Sequence, residues 1–220
     1  TGIVNAIFQP PIVLARRLAT LDQLSRGRVD AGLGQGGGGT AETSYLIPEE
    51  FTAAGVPIGR RGSGFVEHVA AMRACWGPDP VEFNGDDYQI PLSVVGPKPY
   101  NGTIPLFFGA LLRSTIERAA HLADGVVFVA VDWDETRTKI DWYRDAGGTG
   151  AVVVNTIPTY LEGKVTTAAV TDAVLADLEQ AAAVGADEMH ISLNLVNPVP
   201  PDRQVDLLGT LAERISLDRT

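Results

Sequence analysis

The sequence predicts an α/β protein with a parallel sheet, and it favours a (β/α) barrel over an open doubly wound sheet. Two observations carry this. Six strand-like runs alternate with helix-like runs along the 220 residues, the pattern of parallel strands joined by crossover helices. In the last such run, "EMHISLNLV", Met189, Ile191, Leu193 and Leu195 alternate with His190, Ser192 and Asn194. A barrel strand packs one set under helices and turns the other inward, whereas a central strand of an open sheet is usually apolar on both faces.

The elements follow in order. "GIVNAIF" (2–8) reads as a strand. "PPIVLARRLATLDQLSRGR" reads as a helix: Pro11 suits a first turn that needs no amide donor, Leu14, Leu18, Leu21 and Leu24 recur at helical spacing, and Gly27 is placed to cap the end. "VDAGLG" is the next strand, and a long irregular stretch then runs to about Gly59. "GFVEHVAAMRACW" is a helix and "VEFNGDDYQI" a hairpin piece. The strands "IPLFFGA", "DGVVFVAV", "GAVVVNTI" and "EMHISLNLV" follow. Each leads into a helix, respectively "RSTIERAAHLA", "DETRTKIDWYRDAG", "TTAAVTDAVLADLEQAAAVG" and "PDRQVDLLGTLAERI".

Composition narrows the function. A formal net charge of −10 argues against a nucleic-acid partner. No apolar run approaches the roughly 20 residues that span a bilayer, so no membrane partner is expected. The single cysteine, Cys75, excludes an internal disulfide framework and fits a cytoplasmic setting. The residues 1–220 are expected to form one domain with an insertion loop at about 37–59. Thr1 stands almost on a strand-like run, so the expectation is that this domain is incomplete at its start.

The run "VDAGLGQGGGG" contains Gly32-x-Gly34-x-x-Gly37, a literal match to the dinucleotide fingerprint. A Rossmann site needs those glycines to open a helix and an acidic residue about 20 positions on at a strand end. Here "GGGGTAETSYLIPEEF" follows instead, which reads as a loop. An unliganded loop and a ligand-contacting loop at the C-terminal end of a barrel strand, where such folds carry their active sites, both remain open.

"PPIVLARRLATLDQLSRGRVDAGLGQG" resembles the third and fourth βα units of the bacterial-luciferase-like family of flavin- and deazaflavin-dependent oxidoreductases. "PEEFTAAGVP", "FVEHVAAMRACW", "VEFNGDDYQI", "GPKPYNGTIPLFFGA" and "RAAHLADGV" continue the resemblance in the same order. It covers about residues 1–130, and the remainder in pattern only. The subgroup it looks most like is the actinobacterial enzymes that use coenzyme F-420. The resemblance implies a TIM-type barrel of eight βα units, of which about six are present here and the first two are not. It implies F-420, alternatively FMN, bound at the C-terminal ends of the strands, a small-molecule substrate and a homodimer.

Carried over residue by residue, the resemblance places Thr1 and Gly2 against the ring, although Thr1 also reads as a frayed terminus. It places Gln35 and Gly36 beside the ring and its chain. Gly109, Ala110, Leu111 and Leu112 fall on the family's phosphate loop at a helix start, where amides favour an anion. That loop is bulkier here than in relatives. Arg113 is either a direct phosphate partner or a solvated charge. Val129 and Ala130 lie beside the phosphate chain or simply pack. Glu42 is the one candidate for a proton-moving acid, against its reading as a solvated loop carboxylate. His68 and His121 read as surface or packing residues, and His190 as an inward histidine, structural or at the site. Asn155 and Asn194 bond a ligand or cap loops, and the three tryptophans read as packing. His, Cys and carboxylates form no metal pattern.

The function expected is hydride transfer between F-420 or FMN and a small organic molecule. The alternatives are a non-catalytic or degenerate flavin-binding barrel and, further off, an NAD-binding Rossmann protein.

Overall fold

The computed structural model describes residues 2–37, 47–156, 166–192 and 201–215. They form two compact units, Thr1–Val126 with Gly148–Gly150, and Val127–Gly147 with Ala151–Thr220. The fold is α/β, with parallel strands alternating with helices, as the sequence predicts.

The first unit opens with a two-residue strand, β1 (Val4–Asn5), and not the seven-residue strand expected of 2–8. Ala6–Phe8 instead form a 3₁₀ turn, closed by the Gln9 amide on the Ala6 carbonyl at 3.1 Å. Two physical causes are visible. Ala6 and Ile7 bury themselves completely off the ladder, and Phe8 packs edge-on against Phe51 at 4.9 Å. Helix α1 (Pro11–Ser25) starts with Pro11 in its first turn. It ends one residue earlier than Gly27 suggests, on a left-handed Arg26 at φ 59°.

Strand β2 (Ala31–Gly34) pairs in parallel with β1, Asn5 opposite Gly34. Helix α2 (Pro48–Ala54) lies inside the stretch expected to be irregular. Its signals are compact: a proline in the first turn, Glu49 and Glu50 at the positive end of the helix dipole, and Gly55 in the left-handed cap at φ 67°. Helix α3 (Ser63–Trp76) packs against α1. Trp76 Nε1 donates to the Ala15 carbonyl at 3.0 Å, fixing the pair in depth.

The hairpin forms as expected, from β3 (Val81–Asn84) and β4 (Gln89–Ser93). Its turn is held on α3 by Glu67, whose carboxylate accepts from the amides of Asp86, Asp87 and Tyr88 at 3.0, 2.8 and 2.6 Å. Strand β5 (Leu106–Gly109) then pairs in parallel with β2, Leu33 opposite Phe108. It leads into helix α4 (Arg113–Leu122). Strands β1, β2 and β5 therefore run side by side with their C-terminal ends together.

Strand β6 (Gly125–Ala130) starts in the first unit and ends in the second. The second unit continues with α5 (Trp133–Asp145), β7 (Ala151–Thr156), α6 (Thr167–Ala183), β8 (Glu188–Ile191) and α7 (Pro201–Arg214). Asp132 and Thr166 cap α5 and α6 by accepting from the amides of Glu135 at 2.8 Å and Ala169 at 3.2 Å. Strands β7 and β8 are parallel neighbours. Met189 and Ile191 pack on a core of Val170, Val174, Leu207 and Leu211, the arrangement the alternation in β8 calls for. His190 lies on the face opposite Met189 and Ile191, with its side chain 43% exposed and Nε2 paired with Glu188 Oε1 at 2.8 Å. Leu193, Asn194 and Leu195 lie outside the described residues.

Candidate functional site

The candidate site is the shared C-terminal end of β1, β2 and β5 in the first unit. The chain leaves β2 through Gly34, Gln35, Gly36 and Gly37. Gly36 and Gly37 have φ of 86° and 82°, a region side chains with a Cβ rarely enter. A Cβ on Gly36 would also lie 2.5 Å from the Phe51 ring. None of Gly34, Gln35, Gly36 and Gly37 is helical, and among the described residues the first helix after them begins at Pro48.

Gln35 is pinned from two sides. Its Oε1 accepts from Arg118 Nη1 at 3.0 Å and from the Gly62 amide at 3.3 Å. Arg61 Nη1 donates to the Gly37 carbonyl at 3.2 Å. The loop is thus tied to the start of α3 and to α4 by donors 24 to 83 residues away in sequence.

Gly34 and Gly109 have one neighbour in common. A Cβ on Gly34 would meet Ile3 Cγ2 at 2.7 Å, and one on Gly109 would meet Ile3 Cδ1 at 3.2 Å. Ile3, 44% exposed, therefore lies across the ends of β2 and β5 as an apolar platform, seated where the two glycines lack side chains. Gly2 is exposed, with nothing within 4 Å of where its Cβ would be.

After β5, Ala110 is buried, Leu111 half-buried and Leu112 exposed. Leu112 has no acceptor, and the cap is made in reverse. Thr115 Oγ1 accepts from the amides of Leu111 and Leu112 at 3.2 and 3.1 Å. Those two amides, expected to face a phosphate, are already bonded. Helix geometry leaves the amide of Ser114 without an acceptor inside α4, and it is a donor a phosphate would use. Arg113 pairs with Glu117 at 3.0 Å in an exposed i,i+4 bridge, which is worth little to stability.

Gly2, Gln35, Gly36 and Gly109 to Arg113 thus all belong to the first unit. Val129, half-buried, and Ala130, buried, belong to the second. Thr1 and Glu42 lie outside the described residues. In the second unit Asn155 Oδ1 accepts from Ser192 Oγ at 2.8 Å.

Sequence reasoning missed Ile3, Arg61, Thr115 and Arg118. For His68, expected to be a surface or packing residue, the packing reading holds. His68 is fully buried, with Nε2 donating to the Gln9 carbonyl at 2.9 Å and its ring edge-on to Tyr88 at 5.2 Å. Burial, reinforced by the nearby Arg60 charge and only partly opposed by the Gln9 bond, pushes its pKa below the usual histidine value. Burial pushes the Cys75 thiol up, so it is a packed, unreactive thiol.

An apolar platform flanked by donors suits a flat aromatic ring with polar edges and an anionic tail. Residues 1–196 match the luciferase-like monooxygenase family, and the chain belongs to it. An uncharacterized protein of Mycobacterium tuberculosis is 33% identical over 135 residues, 61% of this chain and 45% of that one. The oxygenase component of a flavin-dependent trigonelline monooxygenase of Acinetobacter baylyi is 32% identical over 99 residues, 45% of this chain and 25% of that one. The chain thus spans less than half the length of these relatives. An F-420-dependent secondary alcohol dehydrogenase, solved with an F-420–acetone adduct, superposes with a TM-score of 0.69 at 16% identity. That match covers 97% of this chain and 78% of the dehydrogenase, and it shows a common fold. Proteins of the family are flavin- or F-420-dependent oxidoreductases and monooxygenases. Among the described residues no helix is long and apolar enough to cross a membrane, and no His, Cys or carboxylate cluster could hold a metal.

Proposed function

We propose that the protein binds coenzyme F-420 at the C-terminal ends of β1, β2 and β5 and takes part in hydride transfer to or from a small organic substrate. The observation that carries this is the platform of Ile3 over Gly34 and Gly109 at the ends of β2 and β5. The residues fit such a group. Ile3 offers an apolar face for the ring, and the start of α4 favours the phosphate. The cofactor, when bound, supplies the redox chemistry. The chain's part is to orient the ring, hold the anionic tail and keep water from one face. Val129, Ala130, Thr1 and Glu42 are retained in this proposal in the roles the resemblance implies, Glu42 as the acid that moves a proton. A homodimer in the cytoplasm belongs to it too.

FMN is the second reading, supported by the flavin-dependent relative in Acinetobacter. A fluorescence titration with F-420, with FMN in parallel, tests both. Saturable micromolar uptake of F-420 alone is expected. Uptake of FMN alone replaces the first reading with the second, and uptake of neither removes both.

A further inference from the structure

We infer that Asn5 supplies the hydrogen bond to the edge of a cofactor ring lying on Ile3. The register of the first unit decides which side chains share that platform. Asn5 is opposite Gly34, and Leu33 is opposite Phe108. Phe108 packs edge-on against Phe65 of α3 at 5.0 Å and Leu33 is fully buried, so these two belong to the helix-covered face. Alternate residues of a strand point to opposite faces. The other face therefore receives Gly32 and Gly34 from β2, Phe107 and Gly109 from β5, and Asn5 from β1. Ile3 joins it through its contacts with the Gly34 and Gly109 positions. Asn5 is the one side chain of this set that forms hydrogen bonds.

Two further observations place its amide. The point that a Gly34 Cβ would occupy lies 2.7 Å from Ile3 Cγ2 and 3.1 Å from Asn5 Oδ1. The two side chains thus meet over Gly34, apolar beside polar. An asparagine directly before a helical turn ordinarily caps it through its side chain. Asn5 precedes the turn Ala6–Phe8 and makes no such bond. Its amide is turned to the platform instead. A neutral amide both donates and accepts. The partner it fits is a ring edge that presents a carbonyl next to an N–H, the edge that flavin and deazaflavin rings have in common.

This rests on the reading under Proposed function, and its test separates the two. The wild type, Asn5→Leu and Asn5→Asp are titrated with F-420 and with FMN. Each is also melted without cofactor, and the visible absorption band of the bound cofactor is recorded at saturation. Asn5→Leu keeps the size of the side chain and removes its hydrogen bonds. Its affinity for the cofactor that the wild type binds is expected to fall about tenfold, the worth of one hydrogen bond. The bound band is expected to shift, because the ring edge loses its partner, which a merely structural role for Asn5 would not cause. Asn5→Asp keeps the shape, loses the donor and sets a negative charge against the ring carbonyl. It is expected to bind more weakly than Asn5→Leu, and it serves as the test should Asn5→Leu fail to fold. Wild-type affinity in either folded variant, or weaker binding with the band unmoved, overturns the inference while leaving the proposed function standing. A wild-type chain that takes up neither cofactor overturns both.

Discussion

The two ends of the parallel strands are treated differently. At the N-terminal ends, aspartates close off the backbone. Asp124, just before β6, gives its amide to the Leu106 carbonyl and accepts the Leu106 amide on Oδ2, both at 2.8 Å. Asp187, just before β8, repeats this on Val152 with the same two distances. Asp22, on α1, accepts from the amides of Val29 at 3.3 Å and Tyr100 at 2.8 Å. At the C-terminal ends of β2 and β5, Gly34 and Gly109 carry no side chains, and the amide of Ser114 has no acceptor within α4. The first set of ends is finished internally. The second is left for something else to complete, the division between stability and function usual in barrels.

The largest effect that would break this contrast is expected at Gly150, directly before β7. A Cβ there would run into the Asp124 carbonyl and its carbon, and neither is a flexible tip that can move aside. Gly150→Ala should destabilise by about 3 kcal/mol, read as a lower urea midpoint, and a midpoint equal to wild type would mean that this junction yields. The counterpart at the other end is Gly36→Ala. It combines a left-handed φ with a clash against Phe51, whose ring is able to shift, so about 2 kcal/mol is expected.

The aspartates sharpen the comparison. Asp22 is 2% exposed and holds two amides. Asp22→Asn turns an NH₂ toward one of them and should cost about 2–3 kcal/mol. Asp124 and Asp187 have side chains 54% and 55% exposed, so Asp124→Asn and Asp187→Asn should cost about 1 kcal/mol each after solvent screening. None of the three should change cofactor affinity per folded molecule. A drop in affinity in any of them would show that the two ends are coupled.

Much of this was legible in the sequence, for local reasons. Pro11, the spacing in α1, the alternation in β8 and the glycines after β2 each act within a few residues of where they stand. Helix α2 escaped because seven residues are too few to show periodicity, although Pro48, Glu49, Glu50 and Gly55 spell its two ends. Ile3 escaped because it belongs to a run that reads as one strand, and its seat over Gly34 and Gly109 depends on residues about 30 and 106 positions away. Arg61 and Arg118 could not be read at all. Their partners are 24 and 83 residues away, and nothing local reports such a bond.

A pH-dependent effect is expected at His68, which belongs to the C-terminal side of the comparison because it holds Gln9 shortly after β1. The Gln9 carbonyl only accepts, so Nε2 carries the proton and neutral Nδ1 is left as a buried lone pair without a donor. A second proton would sit at Nδ1 with no acceptor, in a desolvated position that Arg60 makes still less favourable. The folded pKa is therefore below the unfolded value of about 6.5. Above that value the ring is neutral in both states and its contribution to stability is complete. As pH falls from about 6.5 toward the folded pKa, the unfolded chain takes up a proton that the folded chain refuses. Stability then drops by up to about 1.4 kcal/mol per pH unit from this group. His68→Gln keeps an N–H for Gln9 and cannot titrate. Between pH 7 and pH 5, above the range where the carboxylates take up most of their protons, its urea midpoint should fall less than that of the wild type. Parallel midpoints would mean that the folded ring accepts the proton after all, with Tyr88 or the Gln9 carbonyl moving to receive it.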